Sequence, residues 1–333
     1  MRYRMLVIFL FLSVIWCAFI AVTPLHIVEL SGRAQGTKFS IKYVSTEALI
    51  DKRSIDSVFA ALDASLSRYV PHSTISRFNR SDRGICVDRH VRTVVEAALQ
   101  LCKATEGAFD ITTLSLTELW KSRMQEQRVP TTTELQHALQ WVGPDRIQLK
   151  GDSLVKIHSS VRIDVDGIAQ GYSVDCLAAF LRSCRISSFL IELGGEVFAT
   201  GTKPNGERWS IGVARAASES VPSSASYVMG LNEMAATTSG RLSKYSEVNG
   251  QRYSHIIDPQ TGLPIHNEMM SATVVAHTAM EADALDNAFM VMGLSKSLKW
   301  LESRNGLAFF AVIRNDLNQV SDTCTDRFRD LLQ

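Results

Sequence analysis

Apolar and polar residues alternate in some stretches of the chain and recur at helical spacing in others, which predicts a mixture of strands and helices. Alternation over residues 37–44 puts aromatic and aliphatic side chains on one side and lysines and serine on the other, as in a half-buried strand. Over residues 55–69 apolar residues return at helical spacing, which predicts a helix with Ser54 as its N-cap.

Caps and turns, as well as periodicity, predict the next elements. An apolar stripe over residues 91–102 predicts a helix that Gly107 ends. Thr131 and Glu134 form a capping box ahead of a further helix. Residues 146–157 have the pattern of a hairpin. Helices and strands therefore already mix within the first half of the chain.

The second half continues this mixture. Strands are expected at residues 189–193, 209–213, 272–275 and 307–313. Helices are expected at residues 169–182 and 279–292, and a loop rich in serine and alanine at residues 216–225. Because strands and helices do not alternate regularly, the pattern favours an α+β fold over a doubly wound sheet.

Composition and charge narrow the possible function classes. The 333 residues are 46% hydrophobic and 21% charged, which is typical of a packed globular protein and excludes a disordered chain. The formal net charge of +1 gives no long-range field that would gather phosphate backbones. Nucleic acid is therefore not an expected partner.

The N-terminus carries a membrane-targeting pattern. Two arginines precede an apolar run at residues 5–22, which covers roughly 27 Å as a helix and is just long enough to cross a bilayer core. The arginines predict that the chain after Pro24 lies outside the cytoplasm. We interpret residues 1–23 as an uncleaved anchor, with a cleaved signal as the alternative. Residues 24–333 are interpreted as the functional domain.

The cysteines do not indicate a metal or redox motif. Cys17 falls in the N-terminal apolar run, where the bulky Trp16 before it disfavours lipidation. Five more cysteines follow without any C-x-x-C spacing. We interpret them as small buried side chains, with one disulfide left open.

Three groups of polar residues exceed what a plain core requires. The first, residues 107–112, follows a helix and by itself indicates a capped turn. The second, residues 164–172, is a short strand that leads through a glycine-bearing turn into a helix. Free N–H groups or a bare carbonyl in such a turn can bind a phosphate or a metal. Each segment is a weak signal alone.

The third group is the most informative. Asp283, Asp286 and Asn287 are spaced i, i+3, i+4, so on a helix their side chains share one face. Oxygen ligands without a nearby His or Cys favour Mg²⁺ or Ca²⁺ over zinc. The alternative is a solvated acidic face. However, the neighbouring apolar residues predict a buried helix, and buried carboxylates need partners.

Two segments upstream of this helix are less specific. His255 and Asp258 bracket an apolar pair before a Pro/Gly turn, and such a histidine is more often structural than catalytic. Residues 237–240 have the pattern of a strand end that enters a turn. Neither segment identifies a reaction by itself.

Taken in order, these motifs resemble the FAD:protein FMN transferase family, the ApbE-type flavin transferases, from about Gly32 to Ile313. Their order and spacing are far more specific than any single motif. The matching segments are Gln35-Gly36-Thr37, Ser76-Arg77-Phe78-Asn79, Gly107-Ala108-Phe109-Asp110, residues 164–171, Gly194-Gly195-Glu196, Thr238-Ser239-Gly240, residues 254–262 and Ala282-Asp283-Ala284-Leu285.

The resemblance implies a two-lobed α+β fold with FAD in the cleft between the lobes. It places the contacts to the flavin and the rest of the dinucleotide at Gln35, Tyr69, Ala108, Phe109, Asp110, Asp164, Gln170, Ser239 and Ile257. It places Mg²⁺ at the carbonyl of Gly167 and the side chains of Asp283, Asp286 and Asn287. Three residues depart from the family's usual pattern, namely Gln35 for methionine, Gln170 for lysine and Asn287 for threonine. Because Gln170 brings no positive charge, weaker FAD binding is expected.

The activity that the resemblance implies is Mg²⁺-dependent transfer of FMN from FAD to a threonine hydroxyl of an acceptor protein, with release of AMP. His255 is the first candidate for the base that removes the hydroxyl proton, and Asp258 is the second. The same resemblance implies a membrane redox subunit as acceptor, with its threonine in a short Asp-Gly-containing motif. The enzyme is then expected at the bacterial inner membrane, with its catalytic domain in the periplasm.

Two alternative functions stay open. A hydrolase with the same metal and pocket would release FMN and AMP because water takes the place of the threonine. A non-catalytic envelope protein would bind FAD without Mg²⁺ and without AMP release. Mere binding would not need the carboxylate pair of Asp283 and Asp286, which argues against this second alternative.

Overall fold

The structure is a computed structural model that describes residues 24–216, 226–241, 245–248 and 250–333. The apolar run at residues 5–22 and nearly all of the loop expected at 216–225 lie outside these ranges. Of the helices that are described, none is both long and apolar enough to span a bilayer. The anchor therefore stays a prediction from the sequence.

Helices and strands are mixed along the described chain. The helices are α1 (Lys52–Leu66), α2 (Thr74–Arg80), α3 (Arg89–Ala104), α4 (Leu114–Gln125), α5 (Thr132–Leu139), α6 (Asp166–Ser183), α7 (Ala279–Met292), α8 (Leu294–Leu301) and α9 (Asp326–Arg329). The strands are β1 (His26–Ala34), β2 (Thr37–Ser45), β3 (Gly84–Cys86), β4 (Ile147–Lys150), β5 (Ser153–Lys156), β6 (Phe189–Leu193), β7 (Glu196–Thr200), β8 (Trp209–Ala214), β9 (Ser226–Leu231), β10 (Met234–Gly240), β11 (Tyr245–Val248), β12 (Gln251–Ser254), β13 (Met269–Ala276), β14 (Ala308–Arg314) and β15 (Val320–Cys324). Short 3₁₀ helices lie at Ile111–Thr113 and Pro144–Arg146.

One antiparallel sheet of eight strands is the centre of the fold. Its strand order is β1-β2-β6-β7-β10-β13-β14-β15. The edge strand β1 alternates between exposed and half-buried residues, whereas β13 is buried along nearly its whole length. A strand buried on both sides needs cover on both faces of the sheet.

Helices cover one face of this sheet and a hairpin covers the other. α6 packs against β6 and β7, and α7 packs against β10 and β13. The opposite face is covered by the β8–β9 hairpin and α9, whose core includes Trp209, Met229 and Phe328. α6 and α7 also pack against each other. The two helices that carry the expected metal ligands therefore lie side by side on the sheet.

Helices α1 to α3 and the small antiparallel sheet β3-β5-β4 form a second lobe. Its core includes Phe78, Val94 and Leu154, and it extends to Ala284 and Ala288 of α7. The same helix is thus packed on the large sheet and on the second lobe. The α+β fold and its two lobes, as expected from the sequence, are confirmed.

Most of the local predictions agree with the structure. The capping box of Thr131 and Glu134 is present at the start of α5. Gly107 follows α3 with a φ of +84°, and its N–H donates to the carbonyl of Cys102 at 2.8 Å. A residue with a side chain adopts that backbone conformation only with strain, so glycine is favoured there. The predicted α7 at residues 279–292 has the observed bounds.

Three local expectations are wrong. Asp51, not Ser54, is the N-cap of α1, because its Oδ1 accepts the Ser54 N–H at 2.9 Å. α1 also ends at Leu66, so Tyr69 lies beyond the helix. The described cysteines form no disulfide, and of the five only Cys102 is buried, whereas Cys86 is exposed and the other three are half-buried.

Candidate active site

A cavity of about 770 Å³ lies between the two lobes, at the N-terminal part of α6 and the middle of α7. Its volume is in the usual range for ligand pockets. Thirteen of the residues expected from the sequence line it, namely Tyr69, Ala108, Phe109, Asp110, Asp164, Gly167, Gln170, Ser239, His255, Ile257, Asp283, Asp286 and Asn287. The fold therefore brings together residues that are far apart in the sequence, since Tyr69 and Asn287 are separated by 218 positions.

The backbone of α6 is irregular at the edge of this cavity. Gly167 has φ −88° and ψ 16°, which interrupts the helix after its first residues. A ψ so far from the helical value turns the carbonyl out of line with the helix axis. The carbonyl oxygen of Gly167 lies 3.5 Å from Nδ2 of Asn287 on α7. The kink thus directs a backbone oxygen toward the acidic face of the neighbouring helix.

The two carboxylates of that face are almost completely buried. Asp283 is 4% exposed and Asp286 is 2% exposed. Oδ2 of Asp283 accepts the backbone N–H of Gly171 at 2.9 Å. Oδ1 of Asp286 has no hydrogen-bond partner among the described residues. A buried carboxylate oxygen without a partner is costly, so a ligand with positive charge is expected beside it.

Burial also changes the protonation of this pair. Burial, with the nearby Glu196 carboxylate, raises the pKa of Asp283 well above its usual value. Burial, with the Asp283 carboxylate, raises the pKa of Asp286 in the same direction. Burial and the neighbouring carboxylates thus both disfavour the charged forms of Asp283 and Asp286. A bound cation would favour those charged forms instead.

The amide of Asn287 connects the remaining candidate ligands. Its Nδ2 donates to the backbone carbonyl of Asp283 at 2.9 Å and lies 3.5 Å from Oδ1 of the same residue. Its Oδ1 accepts from the Ser239 hydroxyl at 3.1 Å. The nitrogen, rather than the oxygen, thus faces Gly167 and Asp283. A half-turn of the amide would present the oxygen to a cation.

Asp175 holds α6 and α7 together, although the sequence did not indicate this role. From α6 its two carboxylate oxygens accept the N–H groups of Ala279 and Met280 at 2.8 and 2.9 Å. These N–H groups belong to the first turn of α7 and have no helical partner. Burial raises the pKa of Asp175 to about 6. An acidic residue on an otherwise apolar stretch of α6 was the signal that could have identified it.

The turn after α3 forms one wall of the cavity. Ala108 and Phe109 are buried, and the Phe109 ring lies against Gly167. Oδ1 of Asp110 accepts the N–H of Thr112 at 2.7 Å and caps the 3₁₀ helix that follows. Burial raises the pKa of Asp110. Tyr69, by contrast, is 72% exposed at the cavity, and the guanidinium carbon of Arg68 lies 4.8 Å from its ring centroid.

Arg68 is the second residue that sequence reasoning missed. Its Nε donates to Asp166 at 2.7 Å, and its guanidinium lies 3.6 Å from Asp164. The Tyr69 hydroxyl lies 2.8 Å from the same guanidinium. Burial and the Asp166 carboxylate raise the pKa of Asp164 to about 6, while Arg68 opposes that shift. Arg68 and these partners form one hydrogen-bonded network at the cavity.

Gln170 joins α6 to the β6–β7 turn. Its Nε2 donates to the carbonyl of Leu193 at 2.9 Å and to Oε2 of Glu196 at 2.6 Å. Gly194 has a φ of +66°, and a side chain there would overlap Nε2 of Gln170. Glu196 also lines the cavity, although the sequence assigned no role to it.

Two of the predicted site residues lie outside the cavity lining. Nε2 of Gln35 donates to the Ser173 hydroxyl at 3.0 Å and lies 3.4 Å from Oδ1 of Asp63. It therefore connects the β1–β2 turn to α6 and α1. Asp258 accepts hydrogen bonds within its own turn, from the Gln260 N–H at 2.9 Å and the Thr261 hydroxyl at 3.0 Å. His255, the other candidate base, is exposed and lines the cavity.

The charges of the cavity fit a cation better than an anion. Six carboxylates and one arginine are among its described lining residues. The residues that would hold Mg²⁺ supply oxygen atoms only, as that ion requires, and one of these oxygens is the unpartnered Oδ1 of Asp286. No three His, Cys, Asp or Glu side chains in the described ranges are close enough to bind a metal by themselves. The expected site uses only two such side chains, together with an amide and a carbonyl.

Comparison with known proteins places this arrangement among flavin transferases. The family model described as ApbE matches residues 35–311. The chain is 33% identical to the FAD:protein FMN transferase of Haemophilus influenzae, with 87% of each chain covered. It is 33% identical to the FAD:protein FMN transferase of Vibrio cholerae, with 88% of this chain and 89% of the relative covered.

Solved structures show the same similarity in three dimensions. The flavin transferase ApbE from Vibrio cholerae superimposes with a TM-score of 0.82 at 30% identity, over 93% of this chain and all of that one. The apo form of the flavinyl transferase ApbE from Pseudomonas stutzeri gives a TM-score of 0.83 at 32% identity, over 94% of this chain and 98% of that one.

Proposed function

The chain belongs to the ApbE family, and from that membership we propose that it is an FAD:protein FMN transferase that requires Mg²⁺, modifies a threonine and releases AMP. Its family and its similarity to named FAD:protein FMN transferases support the transferase activity. The metal, the threonine and the AMP are the finer parts of the proposal, and they are supported by the chemistry of the cavity.

The observation that carries the metal requirement is the pair of buried carboxylates on α7. FAD brings a negatively charged pyrophosphate, and six carboxylates already line the cavity. Anion and carboxylates would repel each other unless a cation lay between them. The oxygens of Gly167, Asp283, Asp286 and Asn287 would hold that cation. Bound Mg²⁺ would neutralise charge on the phosphoryl groups during transfer.

The reaction exchanges one phosphorus–oxygen bond for another. The threonine oxygen forms a bond to the phosphorus of the FMN half, and the bond from that phosphorus to the bridging oxygen breaks. The bridging oxygen leaves with the bonding electrons as part of AMP. The hydroxyl proton passes to a base, for which we propose His255 because it lines the cavity whereas Asp258 does not.

The other residues of the cavity bind and orient the dinucleotide. The exposed ring of Tyr69 and the buried ring of Phe109 offer aromatic surface to the flavin. Arg68 supplies the guanidinium that can pair with a phosphate oxygen. Gln170 is a hydrogen-bond donor at the Glu196 carboxylate. Together they would hold the pyrophosphate near the buried carboxylates of α7.

The location and the acceptor are proposals from the sequence. The apolar run at residues 5–22 supports an inner-membrane anchor with the domain in the periplasm. An enzyme held there would modify a protein of the same compartment. We therefore propose a membrane redox subunit that carries a threonine in an Asp-Gly-containing segment as the acceptor.

The proposed function is tested with the domain from residue 24, FAD, Mg²⁺ and a threonine-bearing acceptor domain. The expected result is an acceptor mass that increases by one FMN, with an equal amount of AMP. AMP released without an acceptor would instead indicate the hydrolase. FAD binding with neither product would indicate a non-catalytic flavin-binding protein and would contradict the proposal.

A further inference from the structure

A furrow leads from the active-site cavity across the junction of α7 and α8. Two smaller cavities, of about 530 and 510 Å³, continue the main one along the surface. Val291 lines all three cavities, and Ala108 lines the first two. Met292 and Lys296 line both the second and the third. The furrow, defined by these two smaller cavities, therefore adjoins the main cavity.

The electrostatic character changes along this path. The main cavity is lined by six carboxylates, whereas Lys296, Lys299 and Arg304 line the second cavity. Lys296 and Lys299 are exposed on α8 and are three residues apart, so they project from one side of the helix. Neither lysine makes a hydrogen bond or an ion pair with another described residue.

The second cavity has few other charged groups, and some of these already contact neighbouring residues. Its carboxylates are Asp258 and Glu106, and Asp258 already accepts two hydrogen bonds from its own turn. Arg304 stacks on Trp300, with its guanidinium carbon 3.6 Å from the ring centroid. The Trp300 indole N–H in turn donates to the carbonyl of Ala104 at 2.7 Å. The positions of Trp300 and Arg304 are thus fixed by these contacts, and the two lysines are the cations that remain for a ligand.

The third cavity adds a carboxylate and an apolar wall to the furrow. The carboxylate is Glu268, whose Oε1 accepts the Leu294 N–H at 2.7 Å. Leu263, which is 48% exposed, lines this cavity. Pro264 and Met292 line the cavity with it. A small anion would use the lysines alone. An extended peptide with acidic and apolar side chains would use both ends of the furrow.

We propose that this furrow binds the segment of the acceptor protein that flanks the target threonine, and that this segment is acidic. The inference rests on the proposed function, because FAD would fill the main cavity and the acceptor must approach from outside it. An acidic segment is repelled by the carboxylates of the main cavity and attracted by the lysines of α8. This charge difference fixes the direction in which the segment lies and leaves the threonine beside the flavin phosphates.

Binding of labelled peptides tests the furrow without relying on turnover. The probes are fluorescein-labelled peptides about ten residues long, roughly 33 Å when extended, each with one central threonine flanked by several aspartates, asparagines or lysines. Fluorescence anisotropy is measured in EDTA and without FAD, so that no FMN can be transferred to the peptide. The wild type should bind the aspartate peptide more tightly than the asparagine peptide, and the preference should weaken as salt is added.

Charge reversal on α8 identifies the residues involved. The double variant Lys296→Glu, Lys299→Glu should bind the aspartate peptide roughly tenfold more weakly and should come to favour the lysine peptide. Its affinity for FAD should stay at the wild-type value. Lys150→Glu is the matched control, because Lys150 is an exposed lysine on the β4–β5 hairpin that lines none of the three cavities.

Each result decides the proposal. Equal binding of the aspartate and asparagine peptides by the wild type, or unchanged binding by the double variant, would overturn it. Loss of FAD affinity in the double variant would also overturn it, since the lysines would then belong to the dinucleotide site. Peptide binding as expected, with no FMN transfer to any acceptor, would leave the furrow in place and refute the proposed function instead.

Discussion

The backbone N–H of Gly171 on α6 donates to Oδ2 of Asp283 on α7 at 2.9 Å. One helix thus holds a carboxylate of the other at the point where both reach the cavity. Asp175, one turn further along α6, accepts the first N–H groups of α7 and fixes the same pair of helices. The position of the buried carboxylates on α7 is therefore set by helix packing rather than by a loop.

Replacing Gly171 should disturb this packing. A Cβ atom there would overlap the carbonyl of Ala279 and would lie 2.8 Å from Cβ of Asp283. Gly171→Ala should therefore lower the free energy of unfolding by about 1–3 kcal/mol and reduce FMN transfer. Gly212→Ala is the control, because a Cβ at that position meets only ordinary contacts at 3.4 Å or more. Urea denaturation measures both variants, and equal stability of the two would contradict this account of the helix pair.

Neutralising the buried carboxylate of Asp283 should have opposite effects on stability with and without Mg²⁺. Because burial and Glu196 raise the pKa of Asp283, its charge costs stability in the absence of a cation, and this cost grows as pH rises above the unfolded pKa. Asp283→Asn should therefore be at least as stable as the wild type in EDTA. In Mg²⁺ the wild type should gain stability and the variant should gain much less. Thermal denaturation near pH 8 measures both, and equal gains in Mg²⁺ would argue against a metal site at Asp283.

Substitution of His255 separates catalysis from binding. If His255 accepts the threonine proton, His255→Asn should lower the transfer rate by roughly 10²- to 10⁴-fold, with little change in FAD affinity. Single-turnover transfer and flavin fluorescence titration give the two quantities. A parallel loss of both would make His255 a binding residue. Asp258→Asn is the comparison, and it should affect transfer far less because Asp258 does not line the cavity.

A buried lysine gives the second lobe a pH-dependent stability. Nζ of Lys156 donates to the carbonyls of Val161 at 3.0 Å and Ser159 at 3.2 Å, and burial lowers its pKa to about 8. Between this value and the ordinary 10.5 the unfolded chain binds more protons than the native protein. Stability should therefore rise with pH across that window. Lys156→Met should lack this rise, as urea denaturation at several pH values would show, and a matching rise in the variant would exclude Lys156 as its source.

Sequence reasoning identified the parts of the site that depend on local spacing. Asp283, Asp286 and Asn287 share a helix face because of their separation alone, and the structure puts all three in the cavity. Gly107 was recognised as a helix end because its backbone conformation favours glycine. The α+β fold followed from the order of strand and helix patterns. These features need no knowledge of which elements meet in space.

The residues that were missed depend on contacts between distant parts of the chain. Arg68 meets Asp166 across 98 positions, and Asp175 meets the start of α7 across 104. Gln35 was expected at the dinucleotide, but its amide bonds to Ser173 across 138 positions and lies outside the cavity lining. Periodicity and caps carry no information about such pairings. The Ser54 cap failed for a local reason, since the helix begins earlier and Asp51 caps it by accepting the N–H of Ser54 itself.

The most direct test of the metal-dependent transferase is a comparison of the wild type with Asp286→Asn in one assay. Acceptor mass and AMP are measured together with Mg²⁺, with EDTA, and with Mg²⁺ restored. The wild type should give FMN-labelled acceptor and AMP in equal amounts only when Mg²⁺ is present. Asp286→Asn should be slower by roughly 10²-fold or more, since the metal supplies several kcal/mol. Equal transfer in EDTA, or wild-type activity in the variant, would contradict the account.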